Sequence, residues 1–563
     1  MSPPAAPAPP PSPAVAAFRR RLLAFGLFLA TLLLFSRAAS FGFLDFDDPD
    51  FVAANPHVAA GLAWDGLAWA FASGGNAGNW QPLTWLSYML DAQLWGLDPR
   101  AFHAVNLGWH ALNAAIAFLL WQRLTGATRL SAFVVALWAW HPLRVESVAW
   151  VSERKDVLSV FFALLTLWAY TDYARARGRR AVVSYVLALG AFALGLLCKA
   201  MLVALPGALF LLDLWPLQRI PAHARAAPRW LLEKLPFAVL SGLSCWITYR
   251  VQQLTGGLDP EFGLATRAGN AAVAIWRYLG QLAWPFELSA CYPLHPWPAP
   301  TVAAAALALA GVSILLVRQW RSRPWLLFGW AWFLGLLVPV LGFVQSGPQA
   351  MADRYTYLPS LGLLVAAFWA LRSWRPFASA RGIGALAVVV LVACAARTWT
   401  QIGFWRDSPT LFTRALALSP DNYLAHTGLT TSLLNDGRVK EAAAHARAAL
   451  ALDPRYAPAH ARLGFADERL GLLDDAIASY RNALQLRPDL AFADFRLGVL
   501  LLRRGETGTA VAHFAAAVRR QPDYAEAWRG LGRAQARRAN WSAADAAYTQ
   551  ALQLQPDDAT HHN

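Results

Sequence analysis

Between Arg21 and Thr400 the chain returns repeatedly to apolar runs that approach the roughly 20 residues needed to cross a bilayer as a helix, and beyond Thr400 it has none. Lipid offers no partner for backbone N–H and C=O groups, so such runs are confined to α-helices packed on one another. With 57% hydrophobic and 15% charged residues, the chain is too apolar for an ordinary soluble protein. The expectation is an all-α chain, with a polytopic transmembrane helix bundle over 22–400 and a soluble helical domain after it.

Eleven candidate spans follow: 22–39, 104–122, 130–140, 157–171, 181–197, 200–215, 235–249, 302–317, 324–344, 357–371 and 383–399. Arginine placement tests the count. Arg19 to Arg21, Arg123 with Arg129, Arg175 to Arg180, Arg219 to Arg229, Arg318 to Arg323 and Arg372 to Arg381 mark alternate gaps, which the positive-inside rule puts in the cytoplasm. The opposite gaps include 41–103, with seven aspartates and one arginine, facing outward. The stretch 275–285 is apolar, yet counting it would reverse every later arginine cluster, so it reads as re-entrant or surface-lying. Residues 1–21 read as a disordered cytoplasmic tail, and the domain after Thr400 falls outside, periplasmic or extracellular. Only four of the 49 basic residues are lysine, the bias of a GC-rich bacterial genome, which suggests the inner membrane. A net charge of +15 invites a nucleic-acid reading, but no binding motif is present and the arginines sit between apolar runs. Cys198, Cys245, Cys291 and Cys394 have no paired spacing, so neither disulfides nor a zinc site is indicated.

Pro420, Pro454, Pro488, Pro522 and Pro556 recur every 34 residues, the tetratricopeptide (TPR) period. Columns of Ala, Leu429/463/497/531, Gly464/498/532 and Tyr480/Phe514/Tyr548 keep the same register. Small residues permit close helix approach, large ones fill the core, and each proline ends a second helix. A capping half-repeat at 403–420, four repeats over 421–556 and a tail at 557–563 make an α-solenoid. Its concave face is expected to carry Phe465, Phe492, Phe495, Arg529 and Arg533, for an acceptor or partner peptide or for subunit assembly alone.

Three polar clusters fall on the outward side. Leu44 to Asp50 contains Asp47 and Asp48, where like-charge repulsion raises a carboxylate pKa and suits it to take a proton from a hydroxyl. His141 to Asp156 contains His141, Arg144, Glu146, Arg154 and Lys155, with cations to clamp a phosphate and a histidine or glutamate to orient a sugar or bind a cation. Ala352 to Pro359 adds Arg354. Solvated acids, helix caps, snorkelling side chains and the aromatic belt are the bland alternatives. No HExxH, CxxC or Walker loop is present.

At these residues the chain resembles integral-membrane glycosyltransferases of the C-type fold, most closely the TPR-bearing O-mannosyltransferase-like proteins. Asp47-Asp48, His141-Pro142 with Glu146, Asp353-Arg354-Tyr355 and the terminal TPR array match that family's order, while 216–300 carries little of the likeness. The resemblance implies inverting transfer of a sugar from a polyprenyl-phosphate donor to a hydroxyl acceptor, with Asp47 as base and Asp48 as its neighbour. In an extended loop the two point different ways, so only one faces the acceptor. His141, Arg144, Glu146, Arg154, Lys155 and Arg354 are then donor-binding candidates. No resident cofactor is implied, a divalent metal is left open, and the partners are the lipid-linked sugar, the membrane and an acceptor protein at the array. A membrane-anchored TPR scaffold and a lipid or polysaccharide transporter are the competing classes; eleven spans exceed what an anchor needs, and a pump's charged relay within the spans is missing.

Overall fold

The protein is described by a computed structural model over residues 12–72, 79–219, 228–254, 262–345, 347–372 and 380–555. The tail expected at 557–563 and the first eleven residues lie outside the described set. Among the described residues the regular structure is helical, apart from one isolated bridge between Pro293 and Gln349. Contacts divide the chain into two compact units, Met1–Thr410 and Leu411–Asn563.

The first unit contains α1 (Pro13–Phe35), α2 (Pro82–Trp95), α3 (Pro99–Thr125), α4 (Thr128–Ala139), α5 (Arg154–Arg175), α6 (Gly178–Cys198) and α7 (Leu205–Leu214). It continues with α8 (Leu235–Leu254), α9 (Leu264–Ala283), α10 (Ala299–Arg318), α11 (Pro324–Leu337), α12 (Pro359–Arg372) and α13 (Ala380–Gly403). Among the described residues seven helical segments are long and apolar enough to cross a membrane, and Thr128–Ala139, Ala200–Leu214, Pro324–Val340 and Pro359–Leu371 are shorter apolar ones. Each expected run has its helix, and the chain is a multi-pass membrane protein. Residues 275–283 of that stretch form the end of α9, a helix whose Gly269, Ala271, Ala274, Ile275 and Tyr278 turn inward and which is not among those seven segments.

Two local expectations are corrected. The tail does not run to Arg21: Ser12 caps α1 by accepting the Val15 N–H at 3.4 Å, and Pro13, preset for a first helical turn, starts the helix there. The segment 41–103 is not an extended loop but a small folded layer. Pro49–Ala53, Pro56–Ala59, Trp64–Ala72 and α2 are helical, around a core of Phe51, Val52, Val58, Trp85, Tyr88, Met89 and Phe102. Aromatic burial on this scale contributes about 1.5–3 kcal/mol per side chain, enough to fix where the aspartates stand.

Within the bundle, close packing rests on small residues, as expected where lipid supplies no hydrophobic drive between helices. A Cβ at Gly329 of α11 would lie 2.8 Å from the Gly362 carbonyl of α12, and one at Gly362 would run into the Trp332 ring.

The second unit begins within α14 (Ser408–Leu418), followed by four helix pairs: α15 (Tyr423–Asn435) with α16 (Val439–Leu452), α17 (Ala457–Arg469) with α18 (Leu473–Leu486), α19 (Ala491–Arg503) with α20 (Thr507–Arg520), and α21 (Ala525–Arg537) with α22 (Trp541–Leu554). The glycine and aromatic columns prove to be contact partners. A Cβ at Gly464, Gly498 or Gly532 would meet the ring of Tyr480, Phe514 or Tyr548 at 3.0, 3.0 and 2.9 Å. Between the helices of the first three pairs, Gly437, Gly471 and Gly505 take left-handed φ values of 76°, 80° and 87°. The fourth pair has Ala539 there, at φ 57°. A Cβ in that conformation costs about 1–2 kcal/mol, so Ala539→Gly is expected to stabilise the array by about 1 kcal/mol, measured as a shift in its urea or thermal unfolding midpoint.

Candidate functional site

The polar clusters converge on the first turn of α5. Successive residues of a helical turn point about 100° apart, so the consecutive charges from Glu153 to Asp156 cannot share one neighbour. Arg154 turns into the protein. It pairs with Asp91, donates through Nε to Asn106 Oδ1 at 2.7 Å, through Nη1 to Ser87 Oγ at 3.0 Å and through Nη2 to the Phe102 carbonyl at 3.0 Å. Glu153 turns the other way and receives three cations: Lys155 Nζ and Arg354 Nε on Oε1 at 2.9 and 3.2 Å, and Lys199 Nζ on Oε2 at 3.2 Å.

Each of those cations is anchored again. Lys199 pairs with Asp156, whose Oδ2 accepts the Ser147 hydroxyl at 2.9 Å. Lys155 donates to the Ser152 carbonyl at 3.0 Å and lies 4.6 Å over the Phe51 ring. Arg354 pairs with Glu146, which also accepts the Arg354 backbone N–H at 2.8 Å. Beside them Asp353 accepts the Tyr292 hydroxyl at 2.9 Å; burial, then the Glu146 charge, pushes its carboxyl well above the usual range.

The two aspartates of the first cluster have different surroundings. Asp48 is fully buried, its Oδ2 accepting the Leu44 N–H at 2.9 Å and its Oδ1 the Ser152 N–H at 2.9 Å and the Ser152 hydroxyl. It ties the first cluster to the second. Asp47 stays partly exposed, and its carboxylate accepts no hydrogen bond from a described residue. Desolvation pushes Asp47 up to about 6 against the pull of the Lys155 charge. Desolvation also pushes Asp48 to about 6, against its hydrogen bonds. Phe46, next in the chain, stacks on Trp150 at 4.7 Å, and the Arg354 guanidinium lies 5.4 Å over the same Trp150.

Not every expected donor-binding residue reaches this cluster. Arg154 has its guanidinium consumed by the partners above and is a packing residue. His141 is likewise occupied: Nδ1 accepts the Leu143 N–H at 3.2 Å and Nε2 faces the Leu282 carbonyl at 3.0 Å. That pattern fits a neutral ring, and burial lowers its pKa to about 3. Arg144 is fully buried, donates to Thr356 Oγ1 at 2.6 Å, and its Nε and Nη1 have no hydrogen-bond partner among the described residues. Burial lowers its pKa to about 10. Lys199 is the residue that sequence reasoning missed. Its signal was scarcity, because two of only four lysines in the chain meet on one glutamate. Among the described residues no three His, Cys, Asp or Glu side chains are grouped to hold a metal ion.

In the second unit Phe465, Phe492 and Phe495 are half-buried and spend part of their surface on repeat packing. Phe465 meets Phe492 edge-on at 5.9 Å, and Phe495 meets Tyr524 at 5.0 Å. Arg496 lies 4.8 Å over Phe465 and pairs with Glu468 at 2.5 Å. Arg533 is exposed and Arg529 half-buried.

Comparison with known proteins bears out the resemblance. The tetratricopeptide repeat family matches residues 401–457, 429–491 and 495–559. Mouse protein O-mannosyl-transferase TMTC4 is 25% identical over 486 residues, covering 74% of this chain and 64% of that protein. Human protein O-mannosyl-transferase TMTC1 is 25% identical over 478 residues, covering 75% and 54%. The fruit-fly protein O-mannosyl-transferase Tmtc2 is 33% identical over 188 residues, covering 31% and 19%. The chain is similar to these TPR-bearing membrane proteins and spans between about half and two-thirds of the length of the first two.

Removing Arg154 should expose its role. Arg154→Met leaves Asp91 buried without a cation, a change expected to cost about 3–5 kcal/mol, read as a lowered unfolding temperature of the purified protein.

Proposed function

We propose that the protein is a membrane glycosyltransferase that moves a sugar from a polyprenyl-phosphate carrier to a hydroxyl of an acceptor protein at the outer face of a bacterial inner membrane. The observation that carries this reading is Asp47, an unbonded, desolvated carboxylate beside the cations gathered on Glu153. The named activity of the similar proteins supports it.

In this reading Asp47 removes the proton from the acceptor hydroxyl as its oxygen attacks the anomeric carbon. The carbon–oxygen bond to phosphate breaks with inversion, and the lipid phosphate leaves with the bonding pair. Lys155 and Arg354 meet the charge that develops on the leaving group, where fixed cations in a water-poor site act most strongly. A base near pKa 6 is ionised at neutral pH yet still binds a proton usefully. Asp48 does not react; by fastening Leu44 and Ser152 it holds Asp47 in place. The amino terminus is cytoplasmic, and the TPR array, outside the membrane, brings the acceptor, with Arg529 and Arg533 at its contact surface.

Asp47→Asn is expected to lower transfer by about 10²–10⁴-fold with an unchanged unfolding temperature. Asp48→Asn is expected to destabilise the fold by about 1–3 kcal/mol. Because Asp47 must be ionised to act, the rate should rise with pH through about 6 and then level off. Mass spectrometry of envelope proteins from cells carrying intact or Asp47→Asn protein tests the whole reading. A glycan lost from the mutant supports it and identifies sugar and acceptor. Unchanged glycosylation favours a membrane-anchored TPR scaffold instead.

A further inference from the structure

Helix α13 ends at Gly403, and the chain turns tightly there. The Phe404 N–H donates to the Gln401 carbonyl at 3.1 Å and the Trp405 N–H to the Ile402 carbonyl at 3.0 Å. Helix α14 then starts at Ser408, capped by Asp407, whose Oδ1 accepts the Thr410 N–H at 2.8 Å. Within this turn the side chains divide. Arg406 and Asp407 pair with each other, their side chains 56% and 47% open, whereas Trp405 and Ser408 are buried.

Capping needs only Asp407. The two buried side chains reach instead to the segment that carries the aspartates. Ser408 Oγ accepts the Asp45 N–H at 2.7 Å, across 363 residues of chain. The Trp405 ring lies 5.8 Å from the ring of Trp150, on which Phe46 stacks at 4.7 Å. Asp45 and Phe46 immediately precede Asp47. On the other side Asp47 is held through its own carbonyl, which accepts the Phe51 N–H at 3.0 Å, and through Asp48, bound to Ser152. A backbone fixed on that side alone could still swing the Asp47 carboxylate, because every residue carries two soft dihedrals. Fixing Asp45 and Phe46 as well removes that freedom.

We propose that Ser408 and Trp405 are positioning residues for Asp47: from the turn between α13 and α14 they hold the chain on the amino-terminal side of the base, as Ser152 holds it on the other side through Asp48. The assignment rests on the transferase reading and deepens it. Neither residue touches the reacting atoms. Ser408 acts through the Asp45 backbone and Trp405 through Trp150 and Phe46. A general base displaced by about 1 Å can lose about 10²-fold in rate without any loss of substrate binding, so a grip of this kind bears on chemistry more than on affinity.

The test pairs hydrogen–deuterium exchange with kinetics on the purified full-length protein in detergent. Exchange at the Asp45 amide is expected to quicken at least about 10-fold in Ser408→Ala, and to return to within about 3-fold of wild type in Ser408→Thr, which keeps the acceptor oxygen. Kinetics follow mannose transfer from farnesyl-phosphate mannose to envelope protein from a strain lacking the gene. Ser408→Ala and Trp405→Leu are each expected to lose about 10–100-fold in kcat with KM for the acceptor within about 3-fold, and Ser408→Thr to recover kcat to within about 3-fold. A loosened loop admits water to Asp47, so the acid limb of the rate in Ser408→Ala should move from about 6 toward the ordinary carboxylate range. Partial unfolding lowers the amount of active protein and leaves that limb in place. Unchanged exchange at Asp45 in Ser408→Ala overturns the assignment, as does a fall in kcat that leaves the limb at about 6 and that Ser408→Thr fails to restore. Should Trp405→Leu fail to fold, Ser408→Ala, which removes one oxygen, decides alone. Wild-type transfer that both variants leave unaltered overturns the positioning roles and keeps the transferase reading. Quickened exchange in Ser408→Ala, beside a wild type that transfers no mannose, supports the grip on the loop and overturns transfer of this sugar.

Discussion

One carboxylate holds the membrane unit's polar centre together. Glu153 lies within 3.2 Å of Lys155, Lys199 and Arg354, which come from the start of α5, the end of α6 and the turn before α12. Three cations packed this closely would repel one another strongly in a medium of low dielectric. The glutamate at their centre, with Asp156 and Glu146 behind two of them, turns that repulsion into attraction. Position follows from the same balance. Asp48 hangs from Ser152, the residue immediately before Glu153, so Asp47 inherits its place from the start of α5.

The two units solve the packing problem by different chemistry. In the bundle, glycines bring α11 and α12 together, and charged groups meet at helix ends instead of midway along them. In the array, the glycine of one helix seats the aromatic ring of the next, a contact repeated in the second, third and fourth pairs. Repetition makes that stability a sum of similar local terms, whereas the bundle's polar centre depends on segments far apart in sequence.

Much of this was legible in the sequence because it is periodic or compositional. A 34-residue proline ladder and runs of apolar residues survive without knowledge of neighbours. The three clusters that meet were also readable, since charge beside a bilayer is conspicuous. What remained hidden was direction. Arg154 and Lys155 are adjacent and chemically similar, yet one is bound to Asp91 and Asn106 and the other to Glu153, a choice set by which helices flank the turn. His141 looked available because its two backbone partners, the Leu143 N–H donor and the Leu282 carbonyl acceptor, become its neighbours only in the fold. Lys199 resembled an ordinary cation ending an apolar run, and only Glu153 and Asp156 distinguish it.

The distance along the chain between Glu146 and Arg354, 208 residues, imposes an order of events on biosynthesis. At about 5–20 residues per second, Glu146 is made roughly ten to forty seconds before the arginine that neutralises it. During that interval Glu146 has no Arg354 to settle against, and Glu153 has only Lys155 and then Lys199. The early helices therefore wait, hydrated at the membrane edge or shielded by the insertion machinery, and the polar centre locks late, when the turn before α12 arrives. Substitutions that weaken the late arginine would act first on the yield of inserted protein, before any effect on chemistry could be seen.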